Sequence, residues 1–216
     1  MNVLAVNGSP RKHWNTATLL KYTLDGAASK GAQTELIHLY DLNYKGCTSC
    51  FACKYKEGSS YGKCAMRDDL SSVLDKITRA DALIIGTPIY FGMPTGETRS
   101  FLERLLFQYL IYDARYSSLF QRKMQTGMIY TMNVSDAYID KAGYLQMIQG
   151  IENTMKRIFG ASETLVATDT KQFEDYSKYD TSAFDAAQKL KRHEDVFPSD
   201  CKKAFQMGAD FAERLG

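Results

Sequence analysis

The strongest constraint on the fold is the alternation of short apolar runs with segments of helical periodicity along the chain. This alternation is typical of βαβ units, and it predicts one α/β domain over residues 1–216 with a doubly wound parallel sheet and helices on both faces. Five strands are predicted, at 3–6, 34–39, 82–86, 127–132 and 162–167. Apolar positions with a helical period predict the intervening and closing helices, at 17–28, 70–77, 95–109, 145–158 and 204–215.

The long connections of the chain follow strands, whereas the connections from helix to strand are mostly short. The carboxyl ends of parallel strands meet at one edge of a sheet, where open α/β proteins bind ligands. We therefore expect the functional site at this edge. One of the long connections, an insertion at about 169–198, is rich in charge and tyrosine. It is interpreted either as a lid or contact with a second copy, or as a solvated insertion with a short surface helix.

The connection after the first strand predicts an anion site, and we call residues 7–16 the phosphate loop. It reads Asn-Gly-Ser-Pro-Arg-Lys from Asn7 and ends with Asn15 and Thr16 at the start of a helix. Unpaired backbone N–H groups at a helix N-terminus bind anions, and Arg11 adds a charge with two donors. The loop has neither the Gly-Lys-Ser/Thr ending of a P-loop nor a GxGxxG pattern, so it favours a terminal monophosphate over a pyrophosphate.

A second connection, residues 87–94, contains two prolines, a glycine and the adjacent aromatics Tyr90 and Phe91. A rigid backbone beside aromatic faces suits a planar heterocycle. A third contact region is expected over Thr131, Met132, Asn133 and the segment to Tyr144, because it lies at the end of the fourth predicted strand.

Four of the five cysteines lie in one segment, which we call the cysteine loop (about 46–67), with the spacing C-x2-C-x2-C-x10-C. Cys47, Cys50, Cys53 and Cys64 are within reach of a single centre, and this spacing suits an iron–sulfur cluster better than structural zinc. Three interpretations stay open: a cluster, a zinc ion, and free or redox-active thiols. Cys201 stands apart and is assigned no role.

The charge balance argues against nucleic acid and against a membrane surface as partners. The chain has 27 basic and 25 acidic residues, a net charge of +2. It has no apolar run long enough to span a bilayer, and its N-terminus reads directly into a strand without a basic leader region. We therefore expect a cytoplasmic protein, in a compartment that keeps thiols reduced.

The phosphate loop and the Pro-Ile-Tyr-Phe-Gly run from Pro88 resemble the two flavin loops of flavodoxin-like NAD(P)H-dependent FMN reductases. The cysteine loop, with Asp68-Asp69-Leu70 after it, resembles the cluster-binding stretch of iron–sulfur flavoproteins, a branch of that family. The gap before Cys64 is longer than in that branch. Specific motifs carry the resemblance from Met1 to about Leu110.

The resemblance implies a flavodoxin-like strand order, 2-1-3-4-5, and bound FMN, with a [4Fe–4S] cluster at the four cysteines and a homodimer. The flavin contacts expected from the motifs and from the third region are Ser9, Arg11, Lys12, Asn15, Thr16, Ala17, Pro88, Ile89, Tyr90, Phe91, Gly92, Thr131 and Asn133.

The implied function is that of an FMN-dependent oxidoreductase that takes hydride from NADH or NADPH and passes electrons to a small-molecule or protein acceptor. The flavin N5 carries the chemistry, so no catalytic side chain is assigned. Two alternatives stay open. One is an iron–sulfur flavoprotein or flavodoxin-type electron carrier that does not oxidise a nicotinamide directly, and the other is a non-redox protein that binds another phosphorylated ligand.

Overall fold

The computed structural model of the protein describes residues 1–215, so Gly216 of the predicted domain lies outside the described residues. One sheet contains five parallel strands, in the spatial order β2-β1-β3-β5-β6. These strands are β1 (Asn2–Asn7), β2 (Gln33–His38), β3 (Ala82–Tyr90), β5 (Gln125–Thr131) and β6 (Glu163–Ala167). The flavodoxin-like order 2-1-3-4-5 is therefore confirmed, counting the parallel strands along the chain.

A short strand that was not predicted, β4 (Met93–Pro94), pairs antiparallel with the end of β3. The two residues between them, Phe91 and Gly92, both have positive φ angles, of 51° and 80°. A two-residue turn with two positive φ angles is the turn that joins the strands of a tight hairpin. The observed strand β3 is therefore longer than the strand predicted at 82–86, because the hairpin extends it to Tyr90.

Seven α-helices lie between and after these strands in the described part of the chain. They are α1 (Asn15–Ser29), α2 (Asp69–Ile77), α3 (Gly96–Phe107), α4 (Asp136–Ile139), α5 (Tyr144–Phe159), α6 (Ala186–Asp195) and α7 (Phe197–Glu213). Five of them match predicted helices, although α7 starts at Phe197, earlier than predicted, with Pro198 in its first turn. Proline is tolerated there because a first-turn N–H has no helical partner. Helix α4 was not predicted, and α6 lies in the insertion for which a short surface helix was one of two interpretations.

Both faces of the sheet are buried, as expected for a parallel sheet. Helices α1 and α7 cover one face of the sheet. The side chains of Val3 and Ala5 of β1 pack on this face. Helices α2, α3 and α5 cover the other face, which receives Leu4 and Val6. The long connections therefore remain at the edge where the parallel strands end. Among residues 1–215, no helix combines the length and the apolar character that crossing a bilayer requires.

Candidate functional site

A cavity of about 280 Å³ opens at the carboxyl edge of the sheet, and we call it the edge cavity. It is lined by the phosphate loop, the end of β3, the end of β5 and the segment after β6. The lining residues are Ser9, Arg11, Trp14, Asn15, Thr16, Pro88, Ile89, Tyr90, Thr131, Met132, Asn133, Thr170, Lys171, Gln172 and Phe173. Its position is that of the ligand sites of open α/β proteins, and its volume is just below the roughly 300 Å³ at which small-molecule pockets begin.

The phosphate loop is folded by its own side chains. The buried Asn7 accepts a hydrogen bond from the backbone N–H of Ser9 at 3.0 Å, and the Ser9 hydroxyl accepts one from the N–H of Arg11 at 3.1 Å. Trp14 precedes α1, and its side chain makes no capping hydrogen bond to the helix. The first N–H groups of α1 therefore keep the unpaired donors and partial positive charge that bind an anion.

A segment far along the chain crosses the phosphate loop, and we call residues Thr170–Phe173 the strap. Arg11 Nη1 donates to the carbonyl oxygen of Gln172 at 2.7 Å. Trp14 Nε1 and Asn15 Nδ2 donate to the carbonyl oxygen of Lys171, at 3.0 Å and 2.7 Å. The Arg11 guanidinium and the Lys171 ammonium both lie over the Trp14 ring, 4.2 Å and 5.2 Å from its centroid.

Buried threonines join the phosphate loop to the start of α3. The Thr95 hydroxyl donates to the carbonyl oxygen of Gly8 at 2.7 Å, and the Thr98 hydroxyl donates to the Thr87 hydroxyl at 3.1 Å. A Cβ atom on Gly8 would lie 1.9 Å from Thr98 Oγ1. The close approach therefore requires glycine at position 8 and fixes the first two ligand loops relative to each other.

The wall after β5 carries an unsatisfied polar atom. Asn133 Oδ1 is buried and has no hydrogen-bond partner within residues 1–215. The backbone around it is held from α6, because Lys189 Nζ donates to the carbonyl oxygen of Asn133 at 2.9 Å and also pairs with Asp169. A ligand with a hydrogen-bond donor would satisfy the Asn133 oxygen.

The structure brings most of the residues predicted for the flavin to this cavity. Ser9, Arg11, Asn15, Thr16, Pro88, Ile89, Tyr90, Thr131 and Asn133 line it. The remaining four do not line it. Lys12 pairs with Asp41 on the surface, and Ala17 is buried in α1. Phe91 and Gly92 form the hairpin tip, where the Phe91 side chain is fully exposed.

The sequence interpretation missed the strap residues Lys171 and Gln172 as neighbours of the phosphate loop. Their contacts join positions 156 to 161 residues apart, and no local pattern encodes them. The only available signal was the position of the segment after the last strand, which placed it at the correct edge of the sheet.

The four clustered cysteines line one small cavity, of about 20 Å³, which we call the cysteine cavity. The wall opposite the cysteines comes from the C-terminal half of α3 and the residue after it. It contains Arg104, Phe107 and Gln108. All four thiols are free, with Cys50 exposed and Cys53 buried. Across residues 1–215, no three His, Cys, Asp or Glu side chains are close enough to hold one metal ion as they stand.

The cysteine loop is fastened to the second half of α3. Glu103 accepts a hydrogen bond from the N–H of Cys47 at 3.1 Å, and Gln108 accepts one from the N–H of Cys64 at 2.9 Å. Lys54 Nζ donates to the carbonyl oxygens of Phe107 and Leu110 at the C-terminal end of the helix. Cations are stabilised at that end because the helix dipole is negative there.

Electrostatics in the cysteine cavity disfavour a bare thiolate on Cys53. Burial raises the pKa of Cys53; Lys54 opposes that shift, while Cys64, Cys50 and Cys47 add to it. Burial likewise lowers the pKa of Lys54. Four thiols in one place therefore need a cationic partner, such as a bound metal, before all of them can lose their protons together.

Another cavity, of about 520 Å³, lies between α3 and α5. We call it the α3–α5 groove. It is lined mainly by apolar side chains that include Leu102, Leu106, Met147 and Ile151. It lacks the convergent polar groups of the edge cavity, so we assign it no catalytic or cofactor-binding role.

Comparison with known proteins gives one family and several relatives. Residues 1–136 match the family model for NADPH-dependent FMN reductases. An iron–sulfur flavoprotein of Archaeoglobus fulgidus is 41% identical over 104 residues, 48% of this chain and 48% of that protein. One of Methanocaldococcus jannaschii is 36% identical over 104 residues, 48% of this chain and 51% of that protein. The matched region thus spans about half the length of these relatives.

Among solved structures, the NAD(P)H:quinone oxidoreductase from Methanothermobacter marburgensis aligns with a TM-score of 0.71. The alignment covers 97% of this chain and 98% of that one at 13% sequence identity. Identity this low establishes a common fold and nothing about the chemistry of the site.

Proposed function

The chain belongs to the family of NADPH-dependent FMN reductases, and on that premise we propose that it binds FMN in the edge cavity and oxidises NADH or NADPH. The electrons then pass to a small-molecule or protein acceptor. The observation that carries this proposal is the convergence of an uncapped helix N-terminus, Arg11 and Lys171 on one cavity. Such a set of donors and charges fits a phosphate ester beside a planar ring.

The residues present fit FMN at both ends of the cavity. The N-terminus of α1, Ser9 and Asn15 supply donors for the phosphate, and Gly8 lets the backbone approach closely. Elsewhere in the cavity wall, Asn133 Oδ1 is a buried acceptor without a partner. A hydrogen-bond donor of the flavin would satisfy it. Pro88 and Ile89 provide an apolar wall for the ring.

The protein contributes binding, orientation and exclusion of water. FMN, when bound, supplies the redox chemistry, accepting a hydride and releasing electrons. Arg11 and Lys171 balance the phosphate charge, and the strap shields the phosphate loop from water. The threonine network through Thr95 holds the two ligand loops at a set separation, which orients the ring for reaction.

The phosphate assignment is tested by titrating FMN-free protein with FMN and following the quenching of flavin fluorescence. Arg11→Ala should raise the Kd for FMN roughly 10- to 150-fold, the value of one charged hydrogen bond. Arg79→Ala, which removes an exposed arginine in the turn after α2, is the matched control and should leave the Kd unchanged.

Equal Kd values for the two arginine variants would contradict the phosphate assignment. A wild-type protein that takes up no FMN would favour the non-redox ligand instead. Anaerobic addition of NADH or NADPH to the FMN-loaded protein then separates the remaining two functions. Prompt bleaching of the flavin supports the reductase, and bleaching only after a partner reductase is added supports the electron carrier.

We further propose that Cys47, Cys50, Cys53 and Cys64 hold an iron–sulfur cluster. The four thiols line one cavity, and the relatives that match at 41% and 36% identity are iron–sulfur flavoproteins. The donor set fits, since four thiolates are the usual ligands of such clusters, which transfer single electrons. The cavity of about 20 Å³ holds roughly one water, so the cysteine loop must widen to admit the cluster.

The cluster proposal is tested on protein purified without oxygen, by iron, sulfide and zinc analysis with the visible spectrum. About four iron and four sulfide per chain is the expected result. Zinc at one per chain, or no metal after reconstitution with iron and sulfide, would contradict it. The NADH and NADPH test above is independent of this result, because the edge cavity contains none of the cysteines.

A further inference from the structure

Arg104 is a fully buried cation inside α3, at the wall of the cysteine cavity. Its side chain has a relative exposure of 0%, and it is among the largest fully buried side chains of the protein. Nη1 pairs with Asp68 Oδ2 at 2.5 Å and donates to the carbonyl oxygen of Lys45 at 3.2 Å. This is an unusual place for arginine, which is almost never fully buried unless it is paired.

The pairing of Arg104 is incomplete in the residues that the structure describes. Nε and Nη2 are buried and have no hydrogen-bond partner, and Asp68 Oδ1 is in the same condition. Each unsatisfied buried group costs about 1–3 kcal/mol, and more when it is charged. Because a guanidinium has five N–H donors in a rigid fork, the donors that Asp68 leaves free face a fixed direction.

Arg104 lines the same cavity as the four cysteines, so its guanidinium lies beside the thiols. The other nearby charges are already engaged. Lys54 Nζ is bound to backbone carbonyls, and a Glu103 oxygen accepts from the N–H of Cys47.

We infer that Arg104 is the charge-compensating and positioning residue of the four-cysteine site. Its free N–H groups donate to sulfur of the anionic centre, and Asp68 holds the guanidinium in that orientation. The inference rests on the iron–sulfur site proposed above. A four-thiolate centre is anionic and becomes more negative by one charge when it gains an electron, so a buried cation stabilises the reduced form and raises the reduction potential.

The experiment compares the wild type with Arg104→Met, Arg104→Lys, Asp68→Asn and the double variant Arg104→Met/Asp68→Asn. Arg99→Met, an exposed arginine on the same helix, is the control. Each full chain is reconstituted anaerobically with ferrous iron and sulfide, and its iron content is measured. Redox titration with dithionite and mediator dyes, followed by electron paramagnetic resonance, then gives the midpoint potential of the centre.

Arg104→Met should lower the midpoint potential of the centre by about 59 mV. This value corresponds to a tenfold shift of the one-electron equilibrium toward the oxidised form. Asp68→Asn should shift it the opposite way, because the guanidinium charge is then less neutralised. Arg104→Lys should restore part of the shift, and the double variant should lie near Arg104→Met without leaving Asp68 unpaired. Arg99→Met should match the wild type. A residue that acts only by packing would not give opposite signs at positions 104 and 68.

Equal potentials in wild type and Arg104→Met, or shifts of one sign at both positions, would overturn the inference and leave the iron–sulfur site intact. If the Arg104 variants do not fold, Asp68→Asn decides alone: a raised potential supports the inference, and an unchanged one overturns it. A wild type that takes up no iron overturns the cluster proposal and the role of Arg104 together, whereas FMN binding would still be measurable.

Discussion

At the scale of single residues, the five cysteines differ in burial, and burial sets how readily each thiol reacts. Burial, with a smaller contribution from Asp200, raises the pKa of Cys201 to about 11. Burial also raises the pKa of Cys53. Cys50 is exposed in the cysteine loop. The thiolate is the reactive form, so accessible thiols react and thiols with a raised pKa do not.

In metal-free, reduced protein, iodoacetamide at pH 7.5 should alkylate Cys50 first and Cys201 last, with Cys53 also slow. Rates are read for each cysteine by mass spectrometry of proteolytic peptides at successive times. In urea all five should react at similar rates, because unfolding removes the burial that separates them. A native-state rate for Cys201 equal to that of Cys50 would contradict the prediction.

At the scale of elements, α1 and α7 cross on one face of the sheet at glycines. A Cβ atom on Gly26 of α1 would lie 1.9 Å from the carbonyl oxygen of Phe205, and one on Gly208 of α7 would lie 1.8 Å from that of Thr23. Both obstacles are backbone atoms, which cannot move aside as a flexible side chain could. The two helices therefore pack so closely because each has no side chain at the crossing.

Gly208→Ala should lower the free energy of unfolding by about 1–3 kcal/mol or more, because the helices must separate. Gly150→Ala in α5 is the matched control, since a Cβ atom there meets open space. It should raise stability by about 0.5–1 kcal/mol, the helix cost of glycine. Urea unfolding followed by circular dichroism measures both, and a stabilising Gly208→Ala would disprove the close crossing.

Helix α6 is the element that holds the strap in place. The nearly buried Lys189 pairs with Asp169, just before the strap, and binds the carbonyl oxygen of Asn133. Asp169 also has a positive φ of 50°, unusual for a residue with a side chain. The insertion at about 169–198 thus combines a strap, a short helix and the start of α7, and its role as a cover for the cavity stays a prediction.

Lys189→Met should detach the strap, costing about 1–3 kcal/mol locally by leaving Asp169 without its cation. The expected results are faster dissociation of FMN in stopped-flow measurements and faster proteolysis between residues 170 and 185. Lys191→Met, an exposed lysine on the same helix, should change neither rate. Wild-type dissociation and cleavage rates in Lys189→Met would mean that α6 does not hold the strap.

At the scale of the whole molecule, α3 connects the two candidate sites. Its first residues meet the phosphate loop through Thr95, and its second half meets the cysteine loop through Glu103 and Arg104. Thr95 and Arg104 are nine positions apart, about 14 Å along the helix. The adjacent α3–α5 groove is apolar and open, and it is the surface we propose for the homodimer that the resemblance implies.

Ile151→Glu in the α3–α5 groove should convert a dimer into a monomer, because a buried carboxylate at an apolar interface is costly. Leu145→Glu, an exposed position on the same helix outside the groove, should leave the dimer intact. Size-exclusion chromatography with light scattering gives both masses. A wild type that runs as a monomer, or a dimer that survives Ile151→Glu, would exclude this face.

Local patterns were sufficient for much of this protein. The strands and main helices follow from hydrophobic periodicity, which depends on neighbours within a few residues. The strand order came from the resemblance carried by the two loops, and the structure confirms it. The sequence interpretation began the last helix at 204, although α7 starts at Phe197 with Pro198 in its first turn. It also missed the Phe91–Gly92 hairpin, because phenylalanine rarely adopts a positive φ.

The sequence by itself determined the fold class, the edge of the sheet that carries the site, and the two loops predicted to meet a flavin. Only the tertiary structure decided that Lys171 and Gln172 cross the phosphate loop, and that the buried Arg104 lies beside the cysteines and pairs with Asp68. The physical reason is range. Periodicity and turn chemistry are set by adjacent residues, whereas these contacts join positions 36 to 161 residues apart that meet only when the sheet and its helices are packed.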